Sequence, residues 1–206
     1  MVTVERIWPE SVVVCVASGP SLTASDVAYV RGKARVIAIN DTVTWAPWAD
    51  ILYSSHRSWW KKNGKDFAGL RYSVGELVGG TEGIPKRPDV QVLKNTGETG
   101  LERDRYGVRT GRNSGYAAIN LAVHLGAKRI VLLGYNMSRF EGRSHFEGVP
   151  YSGNSPYPEF VKCFRTIVQP LRDAGVEIVN CTPGSALTMF PVTALREVIE
   201  ETAVAA

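Results

Sequence analysis

The residues of this chain that could do chemistry sit in a few turns rich in glycine, asparagine and histidine. The first is Ser18-Gly19-Pro20-Ser21-Leu22. Its backbone N–H groups and the positive end of a following helix could hold a phosphate, although a structural tight turn explains the same residues equally well. It has neither the GxGxxG dinucleotide pattern nor the Walker lysine. Asn40 and Asn136 each carry an amide that can give and receive a hydrogen bond, as recognition of a base, ribose or sugar requires; an Asx turn is the plain alternative. In Gly111-Arg112-Asn113-Ser114-Gly115, Arg112 is suited to a bidentate phosphate contact and Ser114 stands at a helix start, against simple capping. His145 is one of three histidines and is the candidate general base. His56, Tyr151 and Tyr157 are candidates for contact with a phosphate or an acceptor, whereas His124 falls inside an apolar helix pattern and reads as structural.

These turns need elements to bring them together. The β-branched run at residues 12–16 predicts a buried strand, and Thr23 or Ser25 would cap a helix over about 24–31. Further strands are expected at 35–39, 51–54, 72–77, 90–93, 130–133 and 176–179. Helices are expected at 58–71, 115–125, 159–174 (kinked or broken at Pro170) and 192–202. Residues 79–85 read as a loop, and two long irregular stretches, 94–111 and 138–158, are of the length at which loops tend to be functional or disordered. Alternating strands and helices with short connections predict an α/β fold, a Rossmann-like three-layer arrangement on a mostly parallel twisted sheet. In such a sheet ligands bind beyond the carboxyl ends of the strands. Segments 18–22, 40–42, 54–57, 134–137 and 180–185 should therefore converge.

Length and composition narrow the class. At 206 residues, 44% hydrophobic and 21% charged, the chain is expected to form a single globular domain. No apolar run approaches the roughly 18 residues of a membrane span, and Glu5 and Arg6 interrupt any signal-peptide core, so a cytoplasmic protein is expected. Cys15, Cys163 and Cys181 are far apart and without partnering histidines, so neither a disulfide framework nor a metal site is expected. The net charge of +4 weakly favours phosphorylated or polyanionic partners. Trp59-Trp60 on a basic helix could pack against a second copy in a homo-oligomer.

Several blocks together resemble a known family. Val13-Val14-Cys15-Val16-Ala17-Ser18-Gly19-Pro20-Ser21-Leu22 is similar to the opening strand and glycine turn of the bacterial sialyltransferases that modify lipooligosaccharide. Asn40-Asp41-Thr42, Thr110 to Gly115, Arg129 to Asn136 and Val179 to Leu187 resemble later blocks of that family in the same order. The pattern is closest to the family's uncharacterised prophage-type, Rossmann-like relatives. The resemblance implies metal-independent binding of a CMP-linked sugar, with Ser18, Gly19, Pro20, Ser21, Asn40 and Ser114 lining the donor site. It also implies phosphate contacts from asparagine and tyrosine and a histidine as base. Asn136 stands where the family has aspartate. Matching backward from the last strand puts the base nearer Tyr151 or Ser152, with His145 as the histidine of the same loop.

The reading that results is a metal-independent glycosyltransferase-like enzyme with no cofactor, using a nucleotide-activated donor and a hydroxyl acceptor, glycan or nucleic acid. The alternatives are a non-catalytic nucleotide or nucleic-acid binding protein, and a Mg²⁺-dependent pyrophosphate or phosphoryl transferase. The last would want carboxylates at the phosphates, for which Asp41 is the best-placed residue and Glu141 a poorer one.

Overall fold

The structure is a computed structural model that describes residues 1–75, 87–140, 142–147 and 155–204, with side chains through residue 201. The strands are β1 (Ser11–Val16), β2 (Arg35–Ile39), β3 (Ile51–Tyr53), β4 (Leu70–Val74), β5 (Gln91–Asn95), β6 (Gly107–Val108), β7 (Ala127–Leu133) and β8 (Glu177–Asn180). The helices are α1 (Ala24–Tyr29), α2 (Arg57–Lys62), α3 (Ser114–Leu125), α4 (Tyr157–Asp173) and α5 (Leu195–Val204), and a 3-10 turn covers Asn40–Thr44. The strands form one sheet in the order β6-β5-β4-β3-β2-β1-β7-β8, and every pairing is parallel. This is the α/β, Rossmann-like three-layer fold expected.

The central strand shows why the sequence folds this way. In Ser11–Val16 successive side chains point to opposite faces, and both faces are covered, so the strand needs an unbroken apolar run. Val13 and Cys15 pack with Tyr116, Ile119 and Leu121 of α3 and Phe164 and Ile167 of α4. Val14 and Val16 pack with Val27 of α1 and Leu195, Val198 and Ile199 of α5. The chain steps outward from β1 through β6, and α3 then returns it to β7 on the other side of β1. The strand order reverses between β1 and β7, where a crevice must open.

Four expectations change. The helix at 58–71 ends at Lys62, because Gly64 takes φ +69° and the chain turns into β4, which starts at Leu70. Trp60 is buried, its indole N–H donating to the Ser54 carbonyl, and of the two tryptophans Trp59 alone is partly exposed. The stretch 94–111 is held by Asn120 of α3, whose Oδ1 accepts from the N–H groups of Glu102 and Arg109, 2.9 Å each. Tyr116 Oη donates to the Gly100 carbonyl at 2.7 Å. The stretch is therefore anchored on α3. Pro170 lies in the last turn of α4, which runs unbroken to Asp173; there the lost N–H removes one bond near an end that frays anyway. The loop expected at 79–85 lies outside the described residues, as does the end of the strand expected at 72–77. All three cysteines are unpaired and buried. Among the described residues no helix is long and apolar enough to cross a membrane.

Candidate active site

At the switch between β1 and β7 the strand ends are locked together by glycine. Gly19 N–H donates to the Gly134 carbonyl at 2.8 Å. A Cβ on Gly19 would overlap that carbonyl and Asn136 Oδ1, and one on Gly134, at φ +73°, would overlap the Ala17 carbonyl. Asn136 is buried and fastens three of the turns: its Oδ1 accepts from the Ser21 N–H at 3.2 Å and the Ser21 hydroxyl at 2.9 Å, and its Nδ2 donates to the Pro183 carbonyl at 3.2 Å. These bonds and the turn's own occupy most of its N–H groups. The N–H groups of Gly19, Ser21 and Leu22 are all spent internally, and Pro20 has none.

What the switch point does form is a slot of about 100 Å³. Its walls include Ser18, Gly19, Pro20, Asn40, Ser114, Gly115, Asn136, Met137, His145 and Tyr157. Thr42 sets the β2 side: its hydroxyl accepts from the Ile39 N–H at 2.8 Å and sits 3.0 Å from the Val16 carbonyl. That bracing holds Asn40 at φ +55°, and on the β7 side Met137 sits at φ +49°. Such a backbone is tolerable for asparagine and rare for methionine, and strain of this kind costs about 1–3 kcal/mol and gathers at functional sites. Asn40 Oδ1 is buried without a hydrogen-bond partner, which leaves an acceptor available at the slot wall.

The third wall is the start of α3. Asn113 caps it, Oδ1 accepting from the Tyr116 N–H at 2.9 Å. The first N–H groups of a helix have no partner within it and carry its positive dipole end, and here they belong to Ser114 and Gly115. Ser114 Oγ already accepts from the Ser55 N–H at 3.0 Å, which leaves its proton and one lone pair to offer.

His145 closes the slot from the segment 142–147. Phe146, beside it, is a wedge. Its ring packs on Trp45 with centroids 4.2 Å apart, and its N–H donates to the Ser18 carbonyl at 3.1 Å. The histidine is thus held at the glycine turn. Burial pushes its pKa below the usual histidine value, opposed by the charge of Asp41, and its Nδ1 lies 3.1 Å from Ser144 Oγ. If Nδ1–H donates to that oxygen, Nε2 is the acceptor nitrogen of the ring. Burial thus favours the neutral form of the imidazole.

Arg112 and His56 lie outside the described slot lining. Arg112 is half-exposed at φ +61° and pairs with Glu98 at 3.9 Å, so it is not among the slot walls. His56 is exposed at the start of α2, next to Ser55 but also outside the slot lining. Tyr157 lines the slot and donates from Oη to the Ser144 carbonyl at 3.4 Å. Tyr151, Ser152 and Glu141 lie outside the described residues. His124 is structural: buried, it sits 2.8 Å from the Gly107 carbonyl, and burial lowers its pKa. Asp41 Oδ1 accepts from the indole of Trp59 at 2.9 Å. Among the described residues no three His, Cys, Asp or Glu side chains stand together as metal ligands would. Met137, Ser138 and Ser144 are slot residues that sequence reasoning did not single out.

No protein-family profile and no curated protein sequence matches the chain. Among solved structures, the sialyltransferase CstII from Campylobacter jejuni, determined in complex with a substrate analogue, cytidine-5'-monophosphate, is similar to it at 14% identity. The alignment covers 90% of this chain and 86% of that one, with a TM-score of 0.42. At that level the likeness assigns no residue of this chain a role.

Proposed function

We propose that this protein is a metal-independent transferase that moves a sugar or related group from a nucleotide-activated donor, CMP-linked, to a hydroxyl acceptor. One observation carries the reading: a helix start suited to an anion, at Ser114 and Gly115, and the imidazole of His145 share a single slot. Three of the five segments whose sequence resembles the sialyltransferases are tied together there, through Ser21, Asn136 and Pro183.

The roles follow from the groups present. Ser114 and the first N–H groups of α3 receive the phosphate as charge builds on it, a use of fixed dipoles that needs no metal. Asn40 Oδ1 accepts from a donor hydroxyl. His145 takes the proton from the acceptor hydroxyl, whose oxygen bonds to the sugar carbon as the bond from that carbon to the phosphate oxygen breaks. The phosphate leaves with the electron pair. At about 100 Å³ the slot exceeds the roughly 30 Å³ share of one water and falls short of the roughly 300 Å³ at which small-molecule pockets begin. It holds the reacting linkage, and the rest of the nucleotide lies outside it.

Thermal unfolding with CMP, CDP, UDP, GDP and ADP, each with and without Mg²⁺, tests this. CMP or CDP near one hundred times its Kd should add about 2.7 kcal/mol, roughly 5–10 °C for a chain of this size, equally with and without metal. Stabilisation only with Mg²⁺ would favour the phosphoryl or pyrophosphate transferase instead. Stabilisation without turnover of any CMP-linked sugar would favour a binding protein, and no stabilisation by any nucleotide contradicts the reading.

A further inference from the structure

A second cavity adjoins the slot. It has a volume of about 640 Å³ and shares the walls Met137, Ser138 and Tyr157 with the slot. Its far wall is one face of α4, where Pro158, Val161, Lys162 and Arg165 follow the i, i+3, i+4, i+7 spacing of a helix stripe. Ala186 closes it, positioned by its N–H donating to the Asn136 carbonyl at 2.8 Å. The volume falls within the range of small-molecule sites.

The charge of this groove is one-sided. Lys162 and Arg165 are exposed, and among the described residues they make no ion pair or hydrogen bond and meet no carboxylate in the lining. The acid of the same turn, Glu159, is not among the described residues that line the groove and makes no ion pair with Lys162. Two cations with no ion pair among the described residues, over an apolar floor of Met137, Val161 and Ala186, match a ring-shaped molecule with an anionic arm. An arginine fork suits a planar or tetrahedral oxyanion, and the ammonium adds a point charge. A molecule seated there reaches the slot past Ser138 and Tyr157, on the side where His145 closes it.

We infer that this groove is the acceptor subsite and that the acceptor is an anionic saccharide, carboxylated or phosphorylated, whose anion lies on Lys162 and Arg165 while a hydroxyl points to His145. The inference rests on the transferase reading for the role of the hydroxyl, and its test is independent of nucleotide binding. D-glucuronate and D-glucose 6-phosphate separate the two anion chemistries, and D-glucose is the neutral control. Each is titrated by calorimetry at millimolar concentration, with and without CMP, into the wild type, Lys162→Glu/Arg165→Glu and the milder Lys162→Gln/Arg165→Gln. Both positions are exposed on a helix, and urea unfolding confirms that the variants fold.

At least one anionic sugar should bind wild type roughly tenfold or more tighter than glucose, and both double variants should lose roughly tenfold or more of that affinity while CMP binding stays unchanged. Equal binding of glucose, no binding of either anion, or full retention in the double variants overturns the inference. Weakened CMP binding in the variants also overturns it, because the groove would then hold part of the nucleotide. Failure of CMP to bind the wild type counts against the transferase reading alone, since the anion titration is read separately.

Discussion

The two ends of the sheet hold cavities of opposite character. The larger spaces lie at the amino ends of the strands. One is about 1120 Å³, bordered by Arg31, Lys33, Arg35, Lys128 and Arg129; the other is about 670 Å³, around Arg103, Arg105 and His124. Several of the charges there are already answered within the fold. Arg129 makes a two-pronged pair with Glu177 at 2.7 and 3.0 Å and reaches Glu201 at 3.2 Å, Arg35 pairs with Asp50 at 3.2 Å, and Arg6 and Lys128 both pair with Glu10. Left-handed backbone occurs at both ends, at Glu10 on the amino side and at Asn40 and Met137 on the carboxyl side. The carboxyl end, with the smaller slot, also carries the orphaned Asn40 Oδ1 and the two cations of the neighbouring groove without partners among the described residues. Unmet bonding capacity, more than volume, marks where a ligand belongs.

Substitutions at the two ends should break or sharpen this contrast. The largest effect is expected from Gly19→Ala at the carboxyl end, where the new methyl meets the Gly134 carbonyl and the Asn136 amide. Urea unfolding should show a loss of about 3 kcal/mol or more, with nucleotide binding lost as well. Gly32→Ala at the amino end, φ +73° with open space around it, should cost only the strain of the left-handed backbone, about 1–2 kcal/mol, and leave binding intact. Equal losses would remove the contrast in packing.

Next in size is the chemical step. His145→Ala should lower turnover of a CMP-linked sugar by about 10²–10⁴-fold while CMP affinity stays close to wild type. Burial lowers the pKa of His145, so kcat/KM of the wild type should rise with pH through an inflection below about 6.5 and level off above it. The variant should lose that inflection. The same shift affects stability. His145 and His124 both have folded pKa values lowered by burial, so the unfolded chain takes up protons first as the pH falls. Their contribution is complete above the unfolded value near 6.5 and is lost as the pH drops through the folded values.

The smallest effect is expected at the amino end. Arg129→Ala removes a partly exposed ion-pair network, for which about 1 kcal/mol or less is expected, with no change in nucleotide affinity. A large loss of CMP binding in this variant would place the ligand at the wrong end for the account given.

Much of this architecture was legible in the sequence because central parallel strands need continuous apolar runs. The Val-rich β1 and the strand at 35–39 stand out for that reason, and the turns after them fall where residue chemistry placed them. What stayed hidden depends on contacts between distant parts of the chain. The amides of the glycine turn look available until the sheet order puts Gly134 and Asn136 against them. Trp60 looks like a surface residue until Ser54 receives its indole N–H. His145 reads as one histidine in an irregular stretch because the wedge that places it, Phe146 on Trp45, joins residues about a hundred positions apart. Asn120 in the middle of an apolar helix was the available sign that the stretch 94–111 is tied down.

The most direct test is a titration of ¹⁵N-labelled protein with CMP, following the backbone amides. The account expects the largest chemical-shift changes at Gly19, Asn40, Ser114, Gly115, Met137 and His145, with the amides of Arg31 to Arg35 and of Lys128 and Arg129 unmoved. Changes concentrated at that amino-end group, or none at any amide at saturating nucleotide, would contradict it.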